Sequence, residues 1–473
     1  MSTIVRTLNV SILGQENIER IHEASLYLLE HVGMKMTGDR TIEKLREKGA
    51  VVEGDLIKFP RLVVEAALKT VPKEVTLYTR DGQPNMVINS KNNVYFGTHA
   101  DQLEFLDYKT NKARAYFKDD IKTMCSLADS LPNISFILSV GMCSDVDPAV
   151  QSQVTFLETV KNFSKTINFS TNDIESLQEI IDIAAVVAGG HKELQEKPFI
   201  FNYCEPIPPL THPLESTEKL FISASNRIPV VYMPYSMMGG TAPVSIAGAL
   251  TQNNAEILAG VVITQAVNEG APIIYGSMPT VFDMQTTVGS YAAPEFHLAI
   301  AAAAEMADFY GLPFYGTAAC SDAKTVDPQA VAEASMELFS TSLSKANIIH
   351  DIGVMDHCNS VSPAMVVIAS EIINQLRSYC KGVEVNDDTI GLNVIQEVGF
   401  GGHYLQHEHT FNNFRSIWYP ELFSRRMMNP DDSDLMERVN VKIDQILEQH
   451  IVPELDKTVL ESLAEWEKKY SVK

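Results

Sequence analysis

The sequence predicts an α/β fold, namely a (β/α)8 TIM barrel with an N-terminal helical and β-hairpin extension and a C-terminal helical cap. Two observations predict the barrel. One pattern, a short β-branched or aromatic run followed by a polar break and a helical stretch, recurs eight times between residues 94 and 350. Successive runs start about 30 to 43 residues apart, which is the size of one βα unit with its crossover helix. Eight such units close into a barrel.

The strands and helices of the predicted barrel can be placed directly on the sequence. The eight predicted strands occupy residues 94–96, 135–140, 166–170, 198–203, 229–233, 272–275, 313–315 and 347–350. The eight predicted helices occupy residues 118–130, 148–161, 173–187, 213–225, 244–268, 293–310, 329–344 and 363–379. Some of these helices begin with proline or with acidic residues, both of which favour the first turn of a helix.

The chain continues on both sides of the predicted barrel. Residues 1–92 form the predicted extension, with helices over residues 18–31 and 60–70. A β-hairpin is predicted where Asp81-Gly82 separates residues 75–78 from residues 86–88, because Asp-Gly is a strong hairpin turn signal. Residues 93–381 form the predicted barrel domain. Residues 382–473 form the predicted cap, which is rich in turns and then helical from residue 431 to 469.

Composition narrows the class of protein. The formal net charge is −23 and the sequence contains no stripe of Lys and Arg, which argues against a nucleic-acid partner. The charge is compatible with attraction of a cationic small molecule, although acidity also favours solubility in general. No apolar run reaches about 18 residues, so no membrane span is expected. The six cysteines form no CxxC pair and no signal peptide is visible, which predicts a cytoplasmic protein.

The candidate site residues lie late in the predicted strands, because a barrel of this kind places its chemistry at the carboxyl ends of its strands. Any one polar or aromatic residue there is ordinarily part of the packing, but several at the same end of the barrel point to a binding site. Aromatic rings around one opening could cage a quaternary ammonium group by cation–π attraction. The polar candidates are His99, Asn202, Glu205 and His350, and the aromatic candidates are Tyr95, Phe96, Tyr203 and Tyr275.

A glycine-rich turn precedes the fifth predicted helix. Gly239-Gly240-Thr241 allows close approach of a ligand, and the backbone N–H groups at a helix start could hold a carboxylate or a phosphate. A Gly-Gly pair ahead of a helix is also a common turn. No HExxH, Walker-type or GxGxxG motif is present, so the sequence gives no support for nucleotide-cofactor binding.

Three histidines lie close together in the predicted cap. His403, His407 and His409 are spaced so that the first two can share one face of a helix and bind zinc. A zinc-dependent barrel hydrolase is therefore one alternative. The spacing fits no standard zinc motif, however, and the histidines can equally organise the cap or contact a ligand.

Several separated motifs resemble the trimethylamine methyltransferase family over most of the chain. They are Gly240-Thr241-Ala242-Pro243 with Ala247-Gly248-Ala249-Leu250, the run Gly316 to Lys324 with Asp327 and Gln329-Ala330, the stretch His403 to Thr410, Arg415, and the run Pro420 to Arg425. The resemblance implies a barrel enzyme that moves a methyl group from an amine to Co(I) of a separate corrinoid protein. The archaeal founding members carry pyrrolysine near the end of strand seven, where this chain has ordinary residues such as Thr325 and Val326.

The missing pyrrolysine makes the chain similar to the branch of the family that demethylates quaternary amines, such as glycine betaine, proline betaine, carnitine or γ-butyrobetaine. The resemblance then implies roles for the candidate residues. His350 would orient the substrate or relay its methyl group, unless it only bonds to Asp351 or to a backbone carbonyl. The ammonium would lie among Tyr95, Phe96, Tyr203 and Tyr275 with Glu205 nearby, and the carboxylate would be held by His99, Asn202 or the backbone of Gly239, Gly240 and Thr241.

The same resemblance sets the expected cofactor and partners. The cobalamin would be carried by the cognate corrinoid protein, which would dock over the barrel mouth and partly against residues 400–425, and this chain would bind none of it tightly. A homo-oligomer is expected, while nucleic acid and membrane are not. Besides the zinc hydrolase, the alternatives are a trimethylamine:corrinoid methyltransferase and a non-catalytic betaine-binding protein.

Overall fold

The computed structural model describes residues 3–5, 8–90, 93–98, 101–139, 141–425 and 433–471. Each of the eight predicted strands is a strand of one sheet. Every strand pairs in parallel with the next, and the eighth pairs with the first, so the sheet closes and the predicted barrel is confirmed. The strands are β1 (Asn93–Thr98), β2 (Ile134–Leu138), β3 (Thr166–Phe169), β4 (Ile200–Cys204), β5 (Val230–Tyr232), β6 (Ile273–Gly276), β7 (Phe314–Thr317) and β8 (Ile348–Ile352).

A helix follows each barrel strand and covers the outside of the sheet. Side-chain caps start several of these helices; the carboxylate of Asp173, for example, accepts from the backbone N–H of Ser176 at 2.7 Å. A single turn of 3-10 helix, Pro148–Val150, leads into the second barrel helix. Gly189 ends the third barrel helix, and a short extra helix, His191–Glu196, follows it. The barrel helices are α1 (Lys118–Ser130), α2 (Gln151–Asn162), α3 (Ile174–Ala188), α4 (Leu214–Ser225), α5 (Ile246–Val267), α6 (Pro294–Phe309), α7 (Pro328–Leu343) and α8 (Pro363–Tyr379).

The barrel interior is filled by aromatic rings. Phe136, Phe201 and Tyr315 come from β2, β4 and β7, and their ring centroids lie 5.6 to 6.3 Å apart. Because successive side chains of a strand point to opposite faces, these three residues fix which positions of their strands face inward. The centre of the barrel is therefore a packed core, and an open site is confined to its carboxyl end.

The predicted N-terminal hairpin is confirmed and closes the amino end of the barrel. Its strands meet at Asp81-Gly82, where Gly82 has a φ of +78°. The side chain of Asn85 donates to the backbone of Ser135 at 2.7 Å, at the start of β2. The strand Thr3–Val5 also pairs, antiparallel, with β1. The helices of the extension are Gln15–Tyr27, Asp39–Glu47 and Arg61–Thr70, and a π-helical turn over Leu28–Val32 continues the first of them. Its strands are Met34–Met36, Val51–Glu53, Leu56–Lys58, Glu74–Tyr78 and Pro84–Asn89.

Short strands in the loops build a rim above the carboxyl end of the barrel. Tyr235–Met238 pairs with Met278–Phe282, which in turn pairs with Gly289–Ser290. A second small sheet joins strands that follow β1 and β8, namely Glu104–Asp107, Lys112–Ala115, Val354–Met355 and Ser360–Val361. Thr211–His212 instead joins the strand Met34–Met36 of the N-terminal extension.

The C-terminal cap has two parts. Short helices Asp387–Ile390, Leu392–Val398 and Glu408–Asn413, with a 3-10 turn at Phe414–Ser416, precede two longer helices. Leu435–Gln449 packs against α8 and α1, and Lys457–Ser471 packs against α2 and α3. The predicted helical stretch is thus two helices, with Pro453 in the break between them. The division of the chain into three parts at residues 92 and 381 stays a prediction. Within the described ranges, no helix has the length and apolarity that a membrane crossing needs.

Candidate active site

Three rings meet where β4, β7 and β8 end. The ring centroids of Tyr315 and His350 lie 4.6 Å apart, and Tyr203 lies 6.2 Å from Tyr315 and 6.3 Å from His350. Tyr203 has the same alternation parity as Phe201 and so faces the interior, one layer above the packed core. The structure therefore places two of the predicted site residues, Tyr203 and His350, together at the mouth.

The imidazole of His350 is held by a hydrogen bond at Nδ1, and a carboxylate lies near Nε2. Nδ1 lies 2.8 Å from the carbonyl oxygen of Gly316, and Nε2 lies 3.3 Å from Oδ2 of Asp351. Oδ2 of Asp351 also accepts from the hydroxyl of Thr317 at 2.7 Å. Both nitrogens of the ring therefore lie beside oxygen atoms of the protein. The arrangement fixes the orientation of the ring and presents its face to Tyr203 and Tyr315.

Two carboxylates lie beside these rings. Oε2 of Glu205 accepts from the hydroxyl of Tyr203 at 3.2 Å, and Oδ2 of Asp101 accepts from the hydroxyl of Ser170 at 2.5 Å. Both residues are exposed to solvent, but the surrounding protein removes part of their hydration. This desolvation raises the pKa of Glu205 and of Asp101, against the lowering effect of their hydroxyl partners and of Lys219.

A second aromatic pair stands on the rim. The rings of Tyr235 and Tyr291 are stacked, with centroids 6.5 Å apart and an interplanar angle of 19°. Burial raises the pKa of both hydroxyls. Tyr235 follows β5 and Tyr291 follows β6, so the pair lies at the same end of the barrel as Tyr203 and His350. The sequence prediction missed it because both residues lie in loops outside the predicted strands.

Asp322 ties three loops of the rim together. Its carboxylate accepts from the Ser290 hydroxyl at 2.5 Å and from the Tyr291 N–H at 2.9 Å, and it pairs with Nδ1 of His357 at 3.1 Å. His357 is the middle one of three successive residues, 356–358, with left-handed φ of +50° to +70°. Left-handed backbone at non-glycine residues costs on the order of 1 kcal/mol each and tends to cluster at functional sites.

Three of the predicted aromatic residues do not reach the mouth. The hydroxyl of Tyr95 accepts from the N–H of Val87 on the N-terminal hairpin at 3.2 Å, at the opposite end of the barrel. Phe96 is fully buried. Its neighbour Gly97 faces the barrel interior, because a Cβ atom at Gly97 would contact the ring of Phe136, so Phe96 points outward to the helices. The prediction that Tyr95 and Phe96 flank a ligand at the mouth is therefore wrong.

Tyr275 is the third of these residues. Its hydroxyl donates to Oδ1 of Asn254 on α5 at 2.9 Å, and its ring stacks on Tyr310 with centroids 6.2 Å apart. The side chain thus fills the layer between the sheet and the helices. The prediction that Tyr275 flanks the ammonium group is wrong, because the outward side of a barrel strand is as apolar as its inward side and the sequence does not separate the two.

The predicted carboxylate-binding groups are engaged elsewhere. The amide of Asn202 points outward and donates to the hydroxyl of Ser223 on α4 at 3.0 Å. The N–H groups of Gly240 and Thr241 both donate to the carbonyl of Met237 at 2.9 Å, and that of Gly239 donates to Ala242. The turn therefore satisfies its own donors, and the prediction that Asn202 or this turn holds a carboxylate is wrong. His99, the remaining candidate, lies outside the described residues.

The histidines of the cap are far from a metal-site arrangement. Nδ1 of His407 accepts from the backbone N–H of His409 at 3.0 Å as a helix cap, and its Nε2 pairs with Glu397 at 3.1 Å. His403 is exposed. Within the part of the chain that the structure describes, no three His, Cys, Asp or Glu side chains are grouped to hold a metal ion.

Comparison with known proteins identifies the family of the chain. The model of the trimethylamine methyltransferase (MTTB) family matches residues 1–472. The chain belongs to this family. The resemblance that the sequence motifs indicated is thereby confirmed, and the chain is a methyltransferase, so the hydrolase and non-catalytic alternatives are wrong.

Two relatives illustrate the range of the family. The chain is 31% identical to a glycine betaine methyltransferase of Desulfitobacterium hafniense, covering 94% of each chain. It is 28% identical to a trimethylamine methyltransferase of Methanosarcina barkeri, covering 96% of this chain and 94% of the relative. The solved structure of the monomethylamine methyltransferase of Methanosarcina barkeri aligns over 99% of this chain and 96% of its own, at 10% identity and a TM-score of 0.48.

Proposed function

We propose that this methyltransferase transfers a methyl group from a quaternary amine to Co(I) of a corrinoid carried by a separate protein. The observation that carries the proposal is the meeting of Tyr203, Tyr315 and His350 beside the carboxylate of Glu205 at the mouth. Aromatic faces and a carboxylate are the groups that recognise a cation without needing hydrogen bonds from it. A quaternary ammonium has no N–H to donate, so this site suits it.

The chemistry fits such a substrate. Co(I) is a strong nucleophile toward a methyl carbon, and a quaternary nitrogen leaves as a neutral tertiary amine, so the nitrogen needs no proton from this chain. The residues of the mouth then have to bind the cation, exclude water and aim one methyl group outward. Positioning of this kind supplies several kcal/mol of a barrier. The rings should orient the ammonium more than grip it, because uniform binding of the ground state does not accelerate the reaction.

We assign His350 to orientation of the substrate. The hydrogen bond between Nδ1 and the carbonyl of Gly316 fixes the orientation of the ring, and Nε2 lies 3.3 Å from the carboxylate of Asp351. The ring lies against those of Tyr203 and Tyr315, where it would complete the wall around the ammonium.

A betaine is the proposed substrate, supported by the glycine betaine methyltransferase among the relatives. Lys219 is the candidate partner for the carboxylate of the betaine. The charge of its ammonium group lowers the pKa of both Glu205 and Asp101, and the group donates to the backbone carbonyl of Thr171. A cytoplasmic location belongs to the same proposal, since all six cysteines, which lie within the described residues, are thiols. We further propose that the cobalamin stays with its carrier protein and that this chain binds none tightly.

The test is a panel of methylated amines incubated with the enzyme and Co(I) cobalamin, read by the change in the visible spectrum on methylation of cobalt. We expect methyl transfer from at least one of glycine betaine, proline betaine, carnitine and γ-butyrobetaine. Choline, which has the ammonium but no carboxylate, should react more slowly, and trimethylamine should not react. Transfer from trimethylamine alone would overturn the proposal in favour of the other activity named among the relatives.

A further inference from the structure

The last strand of the barrel contains a β-bulge at its carboxyl end. Ile349 and Ile352 of β8 pair with residues of β1 that are only two positions apart along the chain. Two residues of β8, His350 and Asp351, therefore lie opposite one residue of β1. A bulge of this kind bends its strand and re-aims side chains, and bulges are over-represented next to active sites.

The bulge brings two consecutive side chains to the inner face of the sheet. In a regular strand, His350 and Asp351 would point to opposite faces. The ring of His350 lies against that of Tyr315, which faces inward. Oδ2 of Asp351 accepts from the hydroxyl of Thr317 at 2.7 Å, and Thr317 has the same parity as Tyr315. The carboxylate of Asp351 therefore lies at the inner face between the ends of β7 and β8, and not against the helices.

The backbone of Asp351 adopts an unfavourable conformation to reach this place. Its φ is +72°, in the left-handed region, which costs free energy for any residue with a Cβ atom. Glycine would adopt the same φ without this cost. Left-handed backbone at other residues persists where the surrounding structure imposes it, and such residues cluster at ligand-binding sites.

The carboxylate of Asp351 is also incompletely satisfied. The residue is 1% exposed, and Oδ1 has no hydrogen-bond partner among the described residues. In the same part of the chain no lysine or arginine forms an ion pair with it, and its neighbour in charge is Nε2 of His350, 3.3 Å from Oδ2. A buried acceptor without a partner costs free energy. Asp351 therefore disfavours folding in two ways, which is typical of a residue kept for function.

We propose that Asp351 determines the specificity of the mouth for a positively charged substrate, with its carboxylate behind the wall that Tyr203, Tyr315 and His350 form around the ammonium group. This inference rests on the proposed function. To the aromatic faces and the carboxylate of Glu205 it adds a negative charge that is shielded from water.

The carboxylate of Asp351 does not have to touch the substrate nitrogen. A quaternary nitrogen is enclosed by its own carbon atoms and forms no hydrogen bond, so an opposite charge acts on it through space. This attraction is stronger where protein excludes water than at the surface, and added salt screens it less. An uncharged ligand of the same shape gains nothing from it.

Glu205 is less suited to this selection. Glu205 is exposed to solvent, whereas Asp351 is not. Water and salt both weaken the attraction between a cation and an exposed carboxylate. Glu205 therefore contributes a part of cation binding that depends on salt, and Asp351 contributes a part that depends on it little.

A purely structural role for Asp351 leads to a different expectation. If Asp351 only held the ring of His350 in place, its loss would weaken every ligand of the mouth alike, whatever the charge of that ligand. The ratio of the affinities for a charged and an uncharged ligand of one shape therefore separates selection of charge from positioning of the ring.

The experiment is calorimetric binding of two pairs of ligands to the full chain. In each pair a carbon atom replaces the nitrogen, so that glycine betaine is compared with 3,3-dimethylbutanoate, and γ-butyrobetaine with 5,5-dimethylhexanoate. The wild type should prefer the cation of at least one pair by about 30-fold or more. Asp351→Asn keeps the shape of the side chain and should reduce this preference at least about 10-fold, at low and at high salt.

Three further variants complete the test. Glu205→Gln should reduce the preference at low salt, and by less than about 3-fold at high salt. Asp308→Asn removes a carboxylate near the end of α6, at the other end of the barrel, and should leave the preference unchanged. Asp351→Gly removes the same charge as Asp351→Asn and relieves the left-handed backbone, so it serves if Asp351→Asn does not fold by circular dichroism.

A preference for the cation that persists in folded Asp351→Asn or Asp351→Gly would overturn the inference and leave the proposed function standing. An equal loss of affinity for both ligands of a pair would do the same, because it would assign Asp351 to positioning of His350. A wild type that binds neither betaine, or binds each no better than its uncharged counterpart, would contradict the proposed function and this inference with it.

Discussion

The hydroxyl of Tyr315 donates to Oδ1 of Asn168 at 2.7 Å, across the interior of the barrel from β7 to β3. This bond anchors the ring of Tyr315, and that ring supports the imidazole of His350 at 4.6 Å between centroids. The mouth is therefore built on a layer whose side chains are already fixed by partners from other strands. A site of this kind is pre-organised before the substrate enters.

The orienting role of His350 can be tested directly. His350→Ala should lower the turnover number about 100-fold or more while changing substrate affinity by less than about 5-fold, because the lost contact acts on alignment and not on charge. Methyl-transfer kinetics and calorimetric binding of the same betaine measure the two quantities. His191→Ala, at an exposed histidine on the short helix after α3, serves as the control and should leave both unchanged. Unchanged turnover in His350→Ala would exclude any direct role.

Two substitutions distinguish the cation–π contribution of the Tyr203 ring to substrate binding from the contribution of its hydroxyl. Tyr203→Leu removes the ring and should raise KM about 10-fold or more, since such a contact in a desolvated site contributes roughly 2 kcal/mol. Tyr203→Phe keeps the ring and loses only the bond to Glu205, so its KM should stay within about 3-fold of the wild type. Equal effects of the two substitutions would show that the hydroxyl matters and the ring does not.

Substrate binding should depend on pH through Glu205. Desolvation raises the pKa of Glu205 above its ordinary value of 4.5, so the group is still partly protonated above that pH. A cation binds the carboxylate form better, and KM should therefore fall as the pH rises through the raised pKa. Glu205→Gln should weaken this dependence, and Glu205→Gln combined with Asp101→Asn should remove it, because Asp101 also has a raised pKa. An unchanged pH profile in the double variant would contradict the assignment.

Glu256 on α5 gives a prediction for stability. Its Oε1 accepts from the N–H of Leu210 at 2.7 Å and from Gln252 at 3.2 Å, while Oε2 has no hydrogen-bond partner among the described residues. Burial raises the pKa of Glu256 to about 7. The unfolded chain releases this proton near pH 4.5 and the folded protein near pH 7, so the group destabilises the fold progressively between these values and fully above pH 7.

Glu256→Gln should therefore increase the free energy of unfolding at pH 8 by up to about 3 kcal/mol and leave it nearly unchanged at pH 4. The amide oxygen keeps both hydrogen bonds of Oε1, and the amide nitrogen replaces the unpartnered oxygen. Thermal unfolding at the two pH values measures the effect. Glu461→Gln, at an exposed carboxylate of the last helix, is the control and should change stability at neither pH. A uniform effect at both pH values would point to packing in place of ionisation.

The barrel was predictable from the sequence because its signal is repeated. Eight short apolar runs at a spacing that fits one structural unit leave few alternatives, and every run overlaps a barrel strand. The parity of each strand was not predictable. In β4, the alternation places Tyr203 in the mouth and Asn202 against α4, although both are polar or aromatic residues at the end of one strand. Strands buried on both faces carry no polar–apolar alternation that distinguishes inside from outside.

The rim was beyond prediction for a different reason. Tyr291 reaches the mouth because the carboxylate of Asp322 holds its backbone, and the two residues are 31 positions apart. No local pattern encodes a contact of this kind. The turn at Gly239-Gly240 failed in the opposite way. Its sequence motif was visible, but the N–H groups of Gly240 and Thr241 donate to the carbonyl of Met237 and are not free to bind a ligand.

The position of Asp322 restricts how the enzyme can change its substrate. One carboxylate accepts from the backbone of Tyr291 and from the hydroxyl of Ser290, and it lies 3.1 Å from Nδ1 of His357. We therefore expect a mutation in any one of these loops to disturb the other two. Substitutions that change the substrate range should then disturb the structure least at side chains at the ends of the barrel strands, such as Tyr203 and Glu205. A laboratory selection for a new amine should accumulate its substitutions there and leave Asp322 untouched.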